Sequence, residues 1–186
     1  DYGCKRNILR SLQTRGCTVT VWPALTPPAD ILAAGPDGIM LTNGPGDPAD
    51  CVPEIANLRA LFASGMPIFG ICLGHQLMAI ARGAKTAKLK YGHHGANHPV
   101  RDVARGRTYI TSQNHGYAVL GDTLDSAVGT VSHVNFNDGT VEGIRYRGAP
   151  VFTVQFHPEA SPGPHDCAYL FDEFVKMMKT GGHTDA

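Results

Sequence analysis

Pro67-Ile68-Phe69-Gly70-Ile71-Cys72-Leu73-Gly74-His75-Gln76-Leu77-Met78-Ala79-Ile80-Ala81-Arg82-Gly83 decides the fold. Residues 67–71 are a short apolar run behind a proline, which reads as a buried strand. Residues 73–82 place Leu77, Ile80 and Ala81 at helical spacing, and Gly83 stops the pattern. Between them Gly70-Ile71-Cys72-Leu73-Gly74 has the form G-x-nucleophile-x-G. Flanking glycines let the strand and helix backbones approach without Cβ clashes. The turn lifts its central side chain into the crevice at the carboxyl end of the strand, where open α/β sheets bind ligands. A cysteine there also meets the positive end of a helix, which favours its thiolate.

Upstream, residues 18–22 alternate Val19 and Val21 with threonines and read as a strand. Residues 38–42 read as another, running into Asn43-Gly44-Pro45-Gly46-Asp47-Pro48. That loop is punctuated too densely for helix or strand, and its glycine amides are suited to hold an anion or oxyanion. It lacks the lysine and spacing of a phosphate loop. A helix follows to about Ser64, with Ile55, Leu58, Leu61 and Phe62 on one face. Asp47, Asp50 and Glu54 read as helix N-terminal charges. The order β-loop-α-β-α implies parallel strands with right-handed crossovers.

Downstream, residues 107–112, 127–133, 140–146 and 151–156 are strand-like with no long helix between them, and Asn137-Asp138-Gly139 is a hairpin signal. Residues 166–179 read as the last helix, with Cys167, Leu170, Phe171, Phe174 and Met178 on one stripe. The expectation is one α/β domain over residues 1–186: a mainly parallel open sheet flanked by helices, with antiparallel strands added late. His157-Pro158-Glu159 leaves the 151–156 strand at its carboxyl end, the edge to which a parallel neighbour delivers Cys72. A cysteine nucleophile needs a base and a group to orient it, and His157 and Glu159 fill those places. His115 and His133 read as loop and strand histidines. His93, His94 and His98 are close in sequence, but no carboxylate or thiol stands at ligand spacing in that segment, so no metal is expected.

Composition bounds the rest. The 186 residues carry 16 Lys+Arg against 16 Asp+Glu; this balance argues against nucleic-acid or anionic-membrane binding by bulk attraction. Hydrophobic residues at 42% mark a globular chain. Cys4, Cys17, Cys51, Cys72 and Cys167 are odd in number and scattered, as expected of reduced thiols in a cytoplasmic protein. No targeting segment or span is legible. The chain opens Asp1-Tyr2-Gly3, which reads as the tail of a strand, so a piece of a longer polypeptide is expected.

Together these residues resemble the class I (triad-type) glutamine amidotransferases. The family's G-x-C-x-G-x-Q corresponds to residues 70–76, its His-Pro-Glu to residues 157–159, and its Gly-Pro-Gly loop to residues 44–46. The likeness covers essentially the whole chain. Within the family, the segments at 5–10, 92–100, 112–117 and 159–166 are similar to the carbamoyl phosphate synthetase branch. The resemblance implies a flavodoxin-like fold with Cys72 as nucleophile, His157 as base and then acid, and Glu159 as its orienter. It implies L-glutamine binding by Gly44, Gly46, Leu73, Gln76, Asn114, Gly116 and Tyr117. It further implies no cofactor in this domain and a large synthetase chain as partner, with ATP and Mg on that partner. It also implies an N-terminal domain that this sequence does not include. Rival readings are the amidotransferase domain of another synthetase, another Cys hydrolase on the same fold, and a partner-binding domain without activity.

Overall fold

The computed structural model describes residues 1–160 and 163–181; the Ser161-Pro162 part of the likeness lies outside them. Its elements are α1 (Arg6–Gln13), α2 (Pro28–Ala33), β1 (Ile39–Leu41), α3 (Val52–Ala63), β2 (Ile68–Ile71), α4 (Leu73–Ala81), β3 (Thr86–Asp102), β4 (Arg107–Val119), β5 (Gly129–Asn135), β6 (Val141–Tyr146), β7 (Val151–Val154) and α5 (Tyr169–Lys179). They form one seven-stranded sheet in the order β1-β2-β7-β6-β5-β3-β4. β1 pairs parallel with β2, and β2 parallel with β7. From β7 outward every pairing is antiparallel. The α/β architecture and the late antiparallel strands agree with expectation, although the antiparallel share is larger than the sequence indicated.

Two apolar layers cover the sheet. On one face, Leu58, Leu61, Leu77 and Met78 of α3 and α4 pack on Ile39, Leu41, Ile68 and Ile144. On the other, Ile8 and Leu12 of α1 and Leu170, Phe171 and Phe174 of α5 pack on Phe69, Ile71, Phe152 and Val154. β2 and β7 are buried at every position, as strands covered on both faces must be. Phe69 stacks on Phe152 with ring centroids 4.4 Å apart. Arg15, just beyond the end of α1, reaches Asp172 of α5 at 2.6 Å.

Three local readings change. Residues 18–22 form no strand. A cleft of about 700 Å³ separates them from β1, lined by Val19, Val21 and Trp22 on one side and Ile39, Met40 and Leu41 on the other. Among the described residues no strand pairs with them, the Trp22 carbonyl accepting only from the Asp1 amino group, and β-propensity alone makes no ladder. β3 was not anticipated, because over its 17 residues only His93, Val100 and Asp102 are buried, so hydrophobic alternation is missing. It is held by pairing with β4, with register shifts between Lys88 and His93 and between Gly95 and His98. The last helix starts at Tyr169 rather than Asp166, and Met177 takes the buried place expected of Met178.

Candidate active site

β2 ends at Ile71 and α4 begins at Leu73, leaving Cys72 alone to make the turn. Its φ is 54°, a region that non-glycine residues occupy at a cost of order 1–3 kcal/mol and that recurs at functional sites. The turn is held from three sides. Cys72 N–H donates to Val154 O at 2.9 Å, Gly74 N–H to Thr42 O at 3.1 Å, and Gln76 N–H to Cys72 O at 3.1 Å. The flanking glycines are required by close approach. A Cβ on Gly74 would stand 2.6 Å from Leu41 O, and one on Gly70 2.7 Å from Thr153 Cγ2.

The bond from Cys72 to Val154 ties the turn to the strand that carries His157 and Glu159. His157 is itself fixed by its N–H donating to Ser112 O at 2.9 Å. His157 Nδ1 lies 2.7 Å from Glu159 Oε1, and Cys72, His157 and Glu159 are all buried. With a carboxylate on Nδ1, that nitrogen carries the proton and Nε2 is left for chemistry. Burial opposes charge on this imidazole, but its interactions with Cys72 and then Glu159 outweigh it and raise His157 to about 9. An imidazolium beside Cys72 is the environment in which a thiolate persists.

The early loop completes the edge. Gly44 lies so close to the first residues that a Cβ there would meet Tyr2 O at 2.2 Å. Gly46 has φ +106° with open space around it, so its glycine serves backbone shape. Asp47 caps the following turn through Ala49 N–H and raises the Tyr117 phenol by hydrogen bonding to it, which brings this loop to the end of β4. Leu73 N–H is one of the first-turn amides that a helix leaves without an internal partner. Of the other expected pocket residues, Gln76 is buried and donates to Tyr117 O at 2.8 Å and Gln155 Oε1 at 3.0 Å. In this structure it joins α4 to β4. Asn114 Oδ1 faces His94 Nδ1 at 2.8 Å on the exposed side of the hairpin. A Cβ at Gly116 would meet nothing within 4 Å.

Two contributors carry no sequence signal of a role. Lys5 Nζ lies 3.4 Å from Glu159 Oε1, and Asn7 Nδ2 donates to Glu159 O. Both come from the start of α1, more than 150 positions away, and only folding brings them to the triad. His75, on the elbow helix, is fully buried against Thr153 Oγ1 at 2.8 Å, and burial lowers it to about 3. It is a neutral core histidine.

Among known proteins, residues 1–177 match the family described as Glutamine amidotransferase class-I. A carbamoyl phosphate synthase small chain from Polynucleobacter necessarius subsp. necessarius (strain STIR1) is 56% identical over 178 residues, covering 96% of this chain and 44% of that protein. One from Rubrivivax gelatinosus (strain NBRC 100245 / IL144) is 57% identical over 179 residues, covering 96% and 46%. The chain thus spans under half the length of these relatives. In fold, it is similar to the crystal structure of a putative GMP synthase protein from Thermoplasma acidophilum, with a TM-score of 0.83 at 21% identity over 97% of this chain and 92% of that one. With the match running from the first residues through the elbow and the triad into α5, the chain belongs to the class-I glutamine amidotransferases.

Proposed function

We propose that this chain hydrolyses L-glutamine to glutamate and ammonia, and supplies the ammonia to a large synthetase chain that makes carbamoyl phosphate. The observation that carries the proposal is Cys72, held at φ 54° on a strand-to-helix turn and hydrogen-bonded to the strand that delivers the His157–Glu159 pair. The small-chain relatives support the choice of synthetase.

In this reading the Cys72 thiolate attacks the side-chain amide carbon of glutamine. Amides of Gly46 and Leu73 stabilise the oxyanion, each donor contributing roughly 3–4 kcal/mol by analogy with measured oxyanion holes. The C–N bond breaks as His157 passes its proton to the leaving nitrogen, giving ammonia and a thioester on Cys72. His157, now neutral, takes a proton from water, whose oxygen adds to the thioester carbon. Collapse releases glutamate and restores the thiolate–imidazolium pair. Glu159 keeps the imidazole oriented throughout. No step calls on a cofactor here; ATP and Mg belong to the partner. Pyrimidine and arginine synthesis in the cytoplasm are the corresponding setting. No helix among the described residues is long and apolar enough to cross a membrane.

The test is Cys72→Ser in the complex reconstituted with the large chain. Carbamoyl phosphate formation from glutamine is expected to vanish while formation from added ammonia persists, because the partner's site is untouched. Loss of both activities in an intact complex, or of neither, overturns the proposed division of labour.

A further inference from the structure

We propose that His93, His115 and Glu142 form a site for one divalent transition-metal ion of the Zn²⁺ or Co²⁺ type, tying the β3–β4 hairpin to β6 beside the amidotransferase pocket. His93 and His115 are partners across the β3–β4 ladder, with ring centroids 4.9 Å apart and nearly perpendicular. Glu142 arrives from β6, and one ligand atom from each residue lies within 4.8 Å of the others. All three residues are buried.

Two unsatisfied atoms point to a ligand. His93 Nδ1 and Glu142 Oε2 are buried with no hydrogen-bond partner among the described residues, although buried polar atoms are nearly always paired. His93 Nδ1 comes within 3.4 Å of the same carboxylate at its other oxygen, Oε1, so the two unsatisfied atoms belong to groups already side by side.

The outward-facing atoms are arranged as metal ligands require. A metal-bound histidine commonly gives its other N–H to a carboxylate or a backbone carbonyl, which fixes the tautomer and aims the free nitrogen at the ion. His93 Nε2 is 2.8 Å from Asp138 Oδ2, and His115 Nδ1 is 2.7 Å from Tyr117 O. Glu142 Oε1 accepts from Gln113 Nε2 at 2.9 Å and from Asn135 Nδ2 at 3.0 Å, leaving Oε2 free. The contact of His115 Nε2 with Gln113 Oε1 at 2.8 Å points the same way. With its proton on Nδ1, a neutral His115 presents a lone pair to an amide oxygen, and a cation held beside the pair and bound by Nε2 removes that conflict. Gln113 Oε1 or water then completes a four-coordinate site with two imidazoles and a carboxylate.

The site's place in the fold gives it a role. His115 separates Asn114 from Gly116, and the Tyr117 carbonyl that it holds also accepts from Gln76. An ion here would lock the end of β4 against β6. The rival occupant is a proton on His93 Nδ1, which makes His93 a buried imidazolium between two carboxylates.

The experiment uses untagged protein, stripped with chelator and titrated with Co²⁺. It is read by metal content per chain, by the visible absorption of tetrahedral cobalt and by the melting temperature. One equivalent, a tetrahedral spectrum and a raised melting temperature are expected. Glu142→Gln and His93→Asn should abolish all three. Asp138→Asn, on a half-exposed side chain, should weaken binding about 10–100-fold, as loss of an outer partner does. A His94→Ala/His98→Ala double variant should bind as the parent does. The proposal is overturned if the parent retains no stoichiometric ion, if Asp138→Asn and Glu142→Gln both bind as the parent does, or if the double variant alone loses binding.

Discussion

Glu159→Gln tests the triad most directly, since it keeps the side chain's shape and removes its charge. His157 is raised from 6.5 to about 9. At about 1.36 kcal/mol per unit, the 2.5-unit difference is about 3 kcal/mol in favour of the imidazolium. Cys72 and Glu159 supply it together against burial. If the midpoint falls back to 6.5, the imidazolium fraction at pH 7.5 drops from nearly all to about one tenth, an approximately tenfold loss. A glutamine amide can also donate to Nδ1 at the 2.7 Å contact, placing the His157 proton on Nε2. Reversing the tautomer of a catalytic histidine raises the loss to the order of 10²–10⁴. The assay pairs glutamine hydrolysis with the NMR titration of the His157 ring. Because the folded value lies above the unfolded one, the pair's contribution to stability is complete below pH 6.5 and disappears as pH rises through about 9. The parent's advantage in denaturant midpoint should therefore be larger at pH 6 than at pH 10. A variant that hydrolyses glutamine at the parental rate with an unmoved His157 midpoint would refute this account of Glu159.

Further perturbations follow from the same geometry. A glutamine-mimicking electrophile at limiting concentration should label Cys72 and spare Cys4, Cys17, Cys51 and Cys167, as read by peptide mapping; equal labelling of several thiols removes Cys72 from its role. Gly74→Ala places a Cβ 2.6 Å from Leu41 O, and the overpacking should cost about 1–3 kcal/mol in urea unfolding and slow Cys72 labelling; parental values on both measures would mean that α4 is free to move off β1. His75 and His133 are lowered to about 3 and about 4, in each case chiefly by burial. The unfolded chain therefore binds more protons below 6.5, so their contribution is complete above pH 6.5 and falls away toward pH 4. Conversion of both to Gln should flatten that acid limb by several kcal/mol, measured as unfolding free energy against pH.

Short-range chemistry is written in the residues themselves. Gly70, Cys72 and Gly74 specify a strained strand-to-helix turn because only glycines fit against Thr153 and Leu41. His157 and Glu159 are two positions apart, so their pairing needs little more than a strand end to present them. Parallel order for β1 and β2 followed from the loop-helix connection between them, which leaves few topologies open. What depends on distant partners was not legible. Residues 18–22 have the composition of a strand and form none, while β3 lacks the pattern of a strand and forms a long one, since ladders are decided by the neighbouring backbone. Lys5 and Asn7 reach Glu159, and Glu142 reaches His93 and His115, across separations that no periodicity encodes. The sequence determined the candidate nucleophile, its candidate base and the edge of the sheet where they meet; tertiary structure alone decided which buried charges and imidazoles surround them, because burial and proximity are properties of the packed chain.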